Sequence, residues 1–198
     1  MNLVGRITLL LSAILLGACS KTVQWEEEVP LNTGEVIWVK RTVVYSSQGG
    51  AGNPLDIQYR PERDYKIEFS WRGKTYLYSG PGGFKVLAIS PLGLPVLVKN
   101  AYAGAWDATT GYKCTTPFYA QFVPDASGKV WTWPTQIEPW LYSLPTNLLL
   151  DFGDPDKMRS RYTQIEKLTQ PFWADPRSTH MQRIDPSYTG DLCNKKEK

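Results

Sequence analysis

The sequence predicts a mainly β domain, an antiparallel sandwich or small barrel with one C-terminal amphipathic helix. Three observations carry this: short runs of alternating or fully apolar residues, Gly- and Asn-containing turns between them, and one late stretch with helical spacing. The alternation is clearest from Tyr65 to Trp71, where Tyr65, Ile67, Phe69 and Trp71 point one way and Lys66, Glu68 and Ser70 the other. Arg72-Gly73-Lys74 supplies a turn, and Thr75 to Ser79 returns as the second strand of a hairpin.

The other elements follow from the same reasoning. Val23 to Leu31 and Glu35 to Ser46 flank Asn32-Thr33-Gly34 and predict an earlier hairpin; Val36 to Val39 is apolar on both faces, as in a strand inside a closed structure. Gln48 to Pro54, with its glycines and a proline, is expected to be a loop. A third strand pair is expected from Lys85 to Ile89 and Pro95 to Asn100, and a fourth from Tyr112 to Val123 and Lys129 to Trp133. Pro95 and Pro117 count against central positions for their strands. Asp154 as N-cap, Pro155 at the first helical position, and Met158, Tyr162, Ile165 and Leu168 at helical spacing predict the helix, its apolar stripe packed on the sheet. From Phe172 onward, polar residues with Pro and Gly are expected to wrap the surface.

The first residues have another character. Arg6 precedes an apolar run from Ile7 to Leu16, closed by Leu16-Gly17-Ala18-Cys19, a stretch too short for a membrane-spanning helix. This arrangement resembles the lipobox of bacterial lipoproteins; an ordinary secretory signal with a chance cysteine is the alternative. The resemblance implies cleavage before Cys19, giving a signal peptide over 1–18 and a single mature domain over 19–198. It also implies acylation of Cys19 and a lipid bilayer as partner. Ser20, rather than Asp, follows the cysteine, which by the same resemblance implies the periplasmic side of the outer membrane in a two-membrane bacterium and the outer face of the single membrane in a one-membrane bacterium. An exported protein meets an oxidising compartment, where Cys114 and Cys193 are the remaining candidates for a disulfide; two separate thiols are the alternative.

Composition excludes some functions. The chain has 198 residues, 42% hydrophobic and 13% aromatic, with a net charge of +3, which is enough apolar material for a substantial core. Basic and acidic residues are interspersed, so no stripe exists to neutralise phosphates and no nucleic-acid partner is expected. His180 is the single histidine and no Cys-x-x-Cys occurs, so no metal site and no cofactor are expected; without a Gly-x-Ser-x-Gly elbow, His180 is expected as a surface residue of an exposed polar tail, with a catalytic base as the alternative. Asp151, Asp154 and Asp156 lack calcium-loop spacing and read as the start of the helix.

Two features remain as candidates. Glu26-Glu27-Glu28 places Glu26 and Glu28 on one strand face and Glu27 on the other and reads as a solvated edge strand near the anchor. Carboxylates of an envelope enzyme would have to come from Glu26, Glu27, Glu28, Asp151 and Asp154. Trp131, Trp133, Trp140 and Tyr142 form an aromatic group that is either core or a platform for a sugar ring or a peptide. The expected function is a membrane-anchored envelope lipoprotein acting as a non-catalytic binding or structural accessory domain, with an envelope protein or glycan as partner. An envelope enzyme, or a glycan-binding module, acting on cell-wall or surface glycan is the alternative.

Overall fold

Alternating residue types build two sheets in the computed structural model, which describes residues 20–50, 53–101, 117–132, 137–150 and 154–189. The first sheet contains β1 (Ser20–Pro30), β2 (Val36–Gly50), β3 (Asn53–Trp71), β4 (Lys74–Gly80) and the two-residue β9 (Arg161–Tyr162), in the order β4-β3-β2-β1-β9. The second contains β5 (Phe84–Ile89), β6 (Pro95–Asn100), β7 (Tyr119–Pro124) and β8 (Trp131–Thr132), in that order. Neighbours are antiparallel except β9, which adds to β1 in parallel.

The faces explain the layers. Val29, Val39, Ile67, Phe69, Tyr76 and Tyr78 of the first sheet meet Phe84, Leu87, Ile89, Leu97 and Phe122 of the second in one buried cluster. The opposite face of the first sheet carries the exposed Glu26, Lys40, Lys66 and Glu68, the half-wet pattern of an antiparallel sheet. The second sheet is buried on both faces, because Val86, Ala88, Val96, Val98 and Tyr119 pack against Ile137, Leu141 and Ile184 of the C-terminal chain. That chain forms a third, irregular layer. β5 is accordingly buried at every position and shows no alternation.

Side chains close the gaps between the sheets. At one seam the Leu77 N–H donates to the Gly128 carbonyl (3.0 Å), and the Trp131 indole N–H donates to the Leu77 carbonyl (2.9 Å). At the other, the free edge of β5 pairs with two asparagines. The Asn147 amide accepts from Leu87 N–H (2.9 Å) and donates to the carbonyls of Leu87 and Pro30 (both 2.8 Å). Asn32 accepts from Ile89 N–H (2.7 Å) and donates to its carbonyl (2.9 Å). Each amide thus imitates a strand residue and covers an edge that would otherwise invite another chain.

The hairpins Val23–Leu31/Glu35–Ser46, Tyr65–Trp71/Thr75–Ser79 and Lys85–Ile89/Pro95–Asn100 are present as expected, and Pro95 sits at the first residue of its strand. Arg72 and Gly73 both have positive φ (46° and 76°), the backbone of a tight two-residue hairpin turn. In the fourth pair, β7 begins only at Tyr119; Tyr112 to Thr116 and Trp133 lie outside the described residues.

Three expectations are corrected. Val36 to Val39 is not enclosed on both faces: Val39 is buried, but Val36 and Trp38 are exposed on the outer face, where the Arg161 guanidinium covers the Trp38 ring. Most of Gln48 to Pro54 is strand: β2 continues to Gly50 and β3 starts at Asn53. Pro54 falls within the register shift between Gly49↔Ile57 and Gly50↔Asn53, where its missing N–H breaks no regular ladder. The single helix from Asp154 to Leu168 is broken into a 3-10 turn (Pro155–Lys157), β9 and a four-residue helix α1 (Gln164–Lys167). Asp154 does cap, accepting from Asp156 N–H at 3.1 Å, but Met158 is already extended (φ −76°, ψ 131°). The true cap of α1 is Thr163, which forms a capping box with Glu166. The expected apolar stripe is reversed, since Ile165 is 78% exposed whereas Lys167 is buried. The remaining chain passes through short turns and α2 (Thr179–Gln182) before burying Ile184.

Candidate functional site

Cys19, Cys114, Cys193, Trp133 and Asp151 lie outside the described residues. Trp131 is tied to the β4 backbone through its indole N–H and meets Tyr78 edge-on at 6.1 Å, against the core between the sheets. Trp140 and Tyr142 are half-buried against the second core. The Trp140 indole N–H donates to Glu138, whose other oxygen accepts from Gln121 at 3.0 Å and whose backbone N–H donates to Gln121 at 2.8 Å. The body of the second sheet therefore lies between Trp131 and the Trp140–Tyr142 pair, and the structure does not bring the three together.

The glutamate run contains the least expected arrangement. Alternation holds, with Glu26 exposed and Glu28 half-buried on one face, and Glu27 on the other. Glu27 is not solvated, however: it is 0% exposed, on the inner face between Trp25 and Val29. β1 is also not a bare edge, because β9 pairs with it at Glu26 and Glu27. The Glu27 carboxylate accepts from Arg41 Nη1 (3.0 Å) on one oxygen, and from the Leu149 N–H (2.6 Å) and Lys167 Nζ (3.1 Å) on the other. Arg41 Nη1 also donates to the Leu149 carbonyl (2.7 Å), and Lys167 Nζ donates to the Asn147 carbonyl. The Arg41 guanidinium lies 4.9 Å from the centre of the Trp25 ring.

This is a buried ion cluster with two cations and one anion. Burial lowers the Lys167 pKa, and the neighbouring Glu27 carboxylate partly restores it. The cluster holds both polar groups of the Leu149 backbone, so it fastens the segment that carries Asn147 against β5. Its carboxylate is already occupied by three donors and sealed from solvent, which suits holding rather than proton transfer to a ligand. Opposite charges at inward-facing positions of adjacent strands were the available signal: Trp25-x-Glu27-x-Val29 beside Val39-x-Arg41-x-Val43.

Two further lysines are buried. Lys85 Nζ donates to the His180 carbonyl and lies 5.4 Å from the Tyr119 ring, with its pKa lowered to about 7 by desolvation. Lys99 Nζ lies over Phe84 and Phe122 (5.5 and 5.2 Å), lowered to about 8 by the same cause. His180 stacks on Tyr188 at 4.3 Å and is half-buried, so it is less exposed than a polar tail implies. The Glu28 carboxylate accepts the Gln164 N–H at 2.9 Å, and Asp154 pairs with Lys157 at 2.9 Å; both serve local structure.

A cleft of about 140 Å³, bounded by Pro30, Leu31, Val86, Leu144, Pro145 and Asn147, lies along the asparagine seam. It is well below the ~300 Å³ at which small-molecule pockets begin. Among the described residues no group of His, Cys, Asp and Glu is placed to hold a metal ion, and no helix is long and apolar enough to cross a membrane. Comparison with family models, with curated proteins and with solved structures finds no match for this chain.

Proposed function

We propose that this protein is a lipid-anchored protein of the bacterial envelope whose β-sandwich acts as a non-catalytic binding or structural module held at the membrane surface. One observation carries the reading: β1 begins at Ser20, the residue immediately after the lipobox cysteine. With Cys19 acylated, no flexible tether separates bilayer and domain, so the sandwich sits directly on the headgroups. A domain fixed in this way suits an accessory role at one membrane, contacting an envelope protein or glycan close to its own surface.

Intact-mass analysis of the membrane fraction, before and after reduction, tests the proposal. The expected product begins at Cys19 and carries acyl mass, and a Cys114–Cys193 bridge adds a two-hydrogen gain on reduction. A chain that leaves the membrane fraction without acyl mass overturns the lipid anchor. A chain whose mass does not change on reduction overturns the bridge alone.

A further inference from the structure

We propose that the buried cluster of Glu27, Arg41 and Lys167 contains a binding site for one small monovalent anion of the halide class, set between Trp25 and Arg41. The site goes beyond the functional reading above and does not depend on the lipid anchor. The cluster carries a surplus positive charge. Arg41 and Lys167 are both buried, and among the described residues Glu27 is the ion-pair partner of each. Glu28 lies on the opposite face of β1, where its carboxylate accepts the Gln164 N–H. A cation withdrawn from water without a counterion is far more costly than an unpaired polar group.

Two unused donors occupy the same place. The Trp25 Nε1–H and the Arg41 Nε–H have no hydrogen-bond acceptor among the described residues, and each side chain is only 1% exposed. The two residues are directly opposed across β1 and β2, with the guanidinium carbon 4.9 Å from the centre of the Trp25 ring. Buried donors are almost always paired, so a cross-strand pair that offers two unpaired N–H groups beside an uncompensated cation marks a place for an acceptor.

An anion there meets both needs, because it supplies the missing negative charge and accepts N–H groups. Burial also favours loss of the Lys167 proton, but a neutral amine leaves both donors as they were. Water accepts hydrogen bonds and brings no charge. The surroundings select the kind of anion. Val23, Val43, Tyr45, Tyr65 and Leu149 pack with Trp25, so a single-atom ion suits the space better than a carboxylate or phosphate group. One negative charge balances the cluster, whereas a divalent oxyanion would reverse its sign at a larger dehydration cost. Arg41 comes from β2, while Lys167 and the Leu149 backbone close over it from the C-terminal chain, so the ion is taken up as these segments fold together.

An ion that binds the folded chain alone couples its concentration to stability. The experiment is urea unfolding of the full chain in non-ionic detergent, followed by circular dichroism, with sodium chloride exchanged for sodium gluconate at constant ionic strength. Gluconate is too large for the site. The folding equilibrium constant is expected to rise with chloride, approaching tenfold for each tenfold increase, the slope for one ion per chain. Sodium bromide should act as chloride does. K167M removes the surplus charge and should abolish the dependence, and W25F removes one donor and should move it to higher chloride. Equal stability in chloride and gluconate overturns the site. A chloride dependence that persists unchanged in either folded variant overturns it as well, because the ion then binds elsewhere on the chain.

Discussion

Glu27 carries the largest single-residue consequence in this molecule, because one carboxylate compensates two cations with almost no access to water. Replacing it by Gln leaves Arg41 and Lys167 buried without an anion, and removing one partner of such a group typically costs about 3–5 kcal/mol. E27Q is expected to lose that much in urea denaturation. K167M removes the surplus cation and keeps the Glu27–Arg41 pair but leaves the buried Asn147 carbonyl without its donor, so a smaller loss of about 1–3 kcal/mol is expected. Equal losses in the two variants would mean that the cluster is not charge-limited. Lys85 and Lys99 set the pH dependence. Their folded pKa values, about 7 and about 8, lie below the 10.5 of the free side chain. Between those limits the unfolded chain holds a proton that the folded chain has released. Stability therefore rises with pH across the window, by up to about 1.4 kcal/mol per unit for each lysine. Above pH 10 the sign reverses, because burial pushes the Tyr78 and Tyr119 phenols up from 10.0 and the unfolded chain ionises first. Denaturation midpoints should thus increase from pH 7 toward 10 and then fall, and K85M should flatten the first part of the rise. None of these buried charges is legible from composition, since Lys85 adjoins apolar residues on its strand and Glu27 lies in a run that looks solvated. Parity along β1 does assign Glu27 to the inner face, but pairing it with Arg41 requires the β1–β2 register.

The strands were the most legible elements, because water on one face of the first sheet enforces a period of two that the residues record directly. Where both faces are buried, as in β5, the pattern disappears and only turn residues and β-branched content remain. The residues at helical spacing do not form one helix, for a physical reason. Met158 and Tyr162 do meet, with the Tyr162 hydroxyl 3.9 Å from the Met158 sulfur, but through an extended segment and a turn rather than a helical repeat. Both pack with Val23, Trp25 and Leu149 at one end of the first sheet. The edge of β5 gives the element-scale prediction. N147A removes three hydrogen bonds from the Asn147 amide to Leu87 and Pro30, whereas N32A removes two, both from Ile89. A buried backbone group left unpaired costs about 1–3 kcal/mol, while water can replace the Asn32 amide, which is exposed. Hydrogen exchange at the Leu87 amide should accelerate strongly in N147A, with a weaker effect at Ile89 in N32A. Similar protection in both variants would show that the seam is held by packing instead. Gly82 tests another contact between elements: a β-carbon there would lie 2.2 Å from the Tyr65 ring, so G82A should cost about 1–3 kcal/mol through forced repacking against β3.

At the scale of the whole molecule, the C-terminal third completes the fold rather than decorating it. Without residues from 137 onward, Val86, Ala88, Val96, Val98 and Tyr119 would face water, and Glu27 would lose Lys167 and the Leu149 N–H together. The two losses reinforce each other, since the cluster fastens residues 147–149 and those residues close the seam along β5. A chain ending at Lys157 keeps every antiparallel strand pair yet lacks Lys167, β9 and Ile184. Such a chain should therefore retain β-sheet circular dichroism while losing cooperative unfolding and gaining binding of an apolar dye, the behaviour of a sheet whose packing is incomplete. A sharp two-state transition in the truncated chain would show instead that the sandwich is self-sufficient. The same dependence gives the proposed Cys114–Cys193 bridge a physical purpose. Joining residues ~80 apart in sequence, it would link the chain after Thr189 to the chain before β7, with a loop-closure effect of about 4 kcal/mol. Reduction of the intact protein should then lower its stability by an amount approaching that figure, and the C-terminal layer should be the first region to lose hydrogen-exchange protection. Reduction that leaves stability unchanged would assign the third layer's attachment to the buried ions and the second core alone.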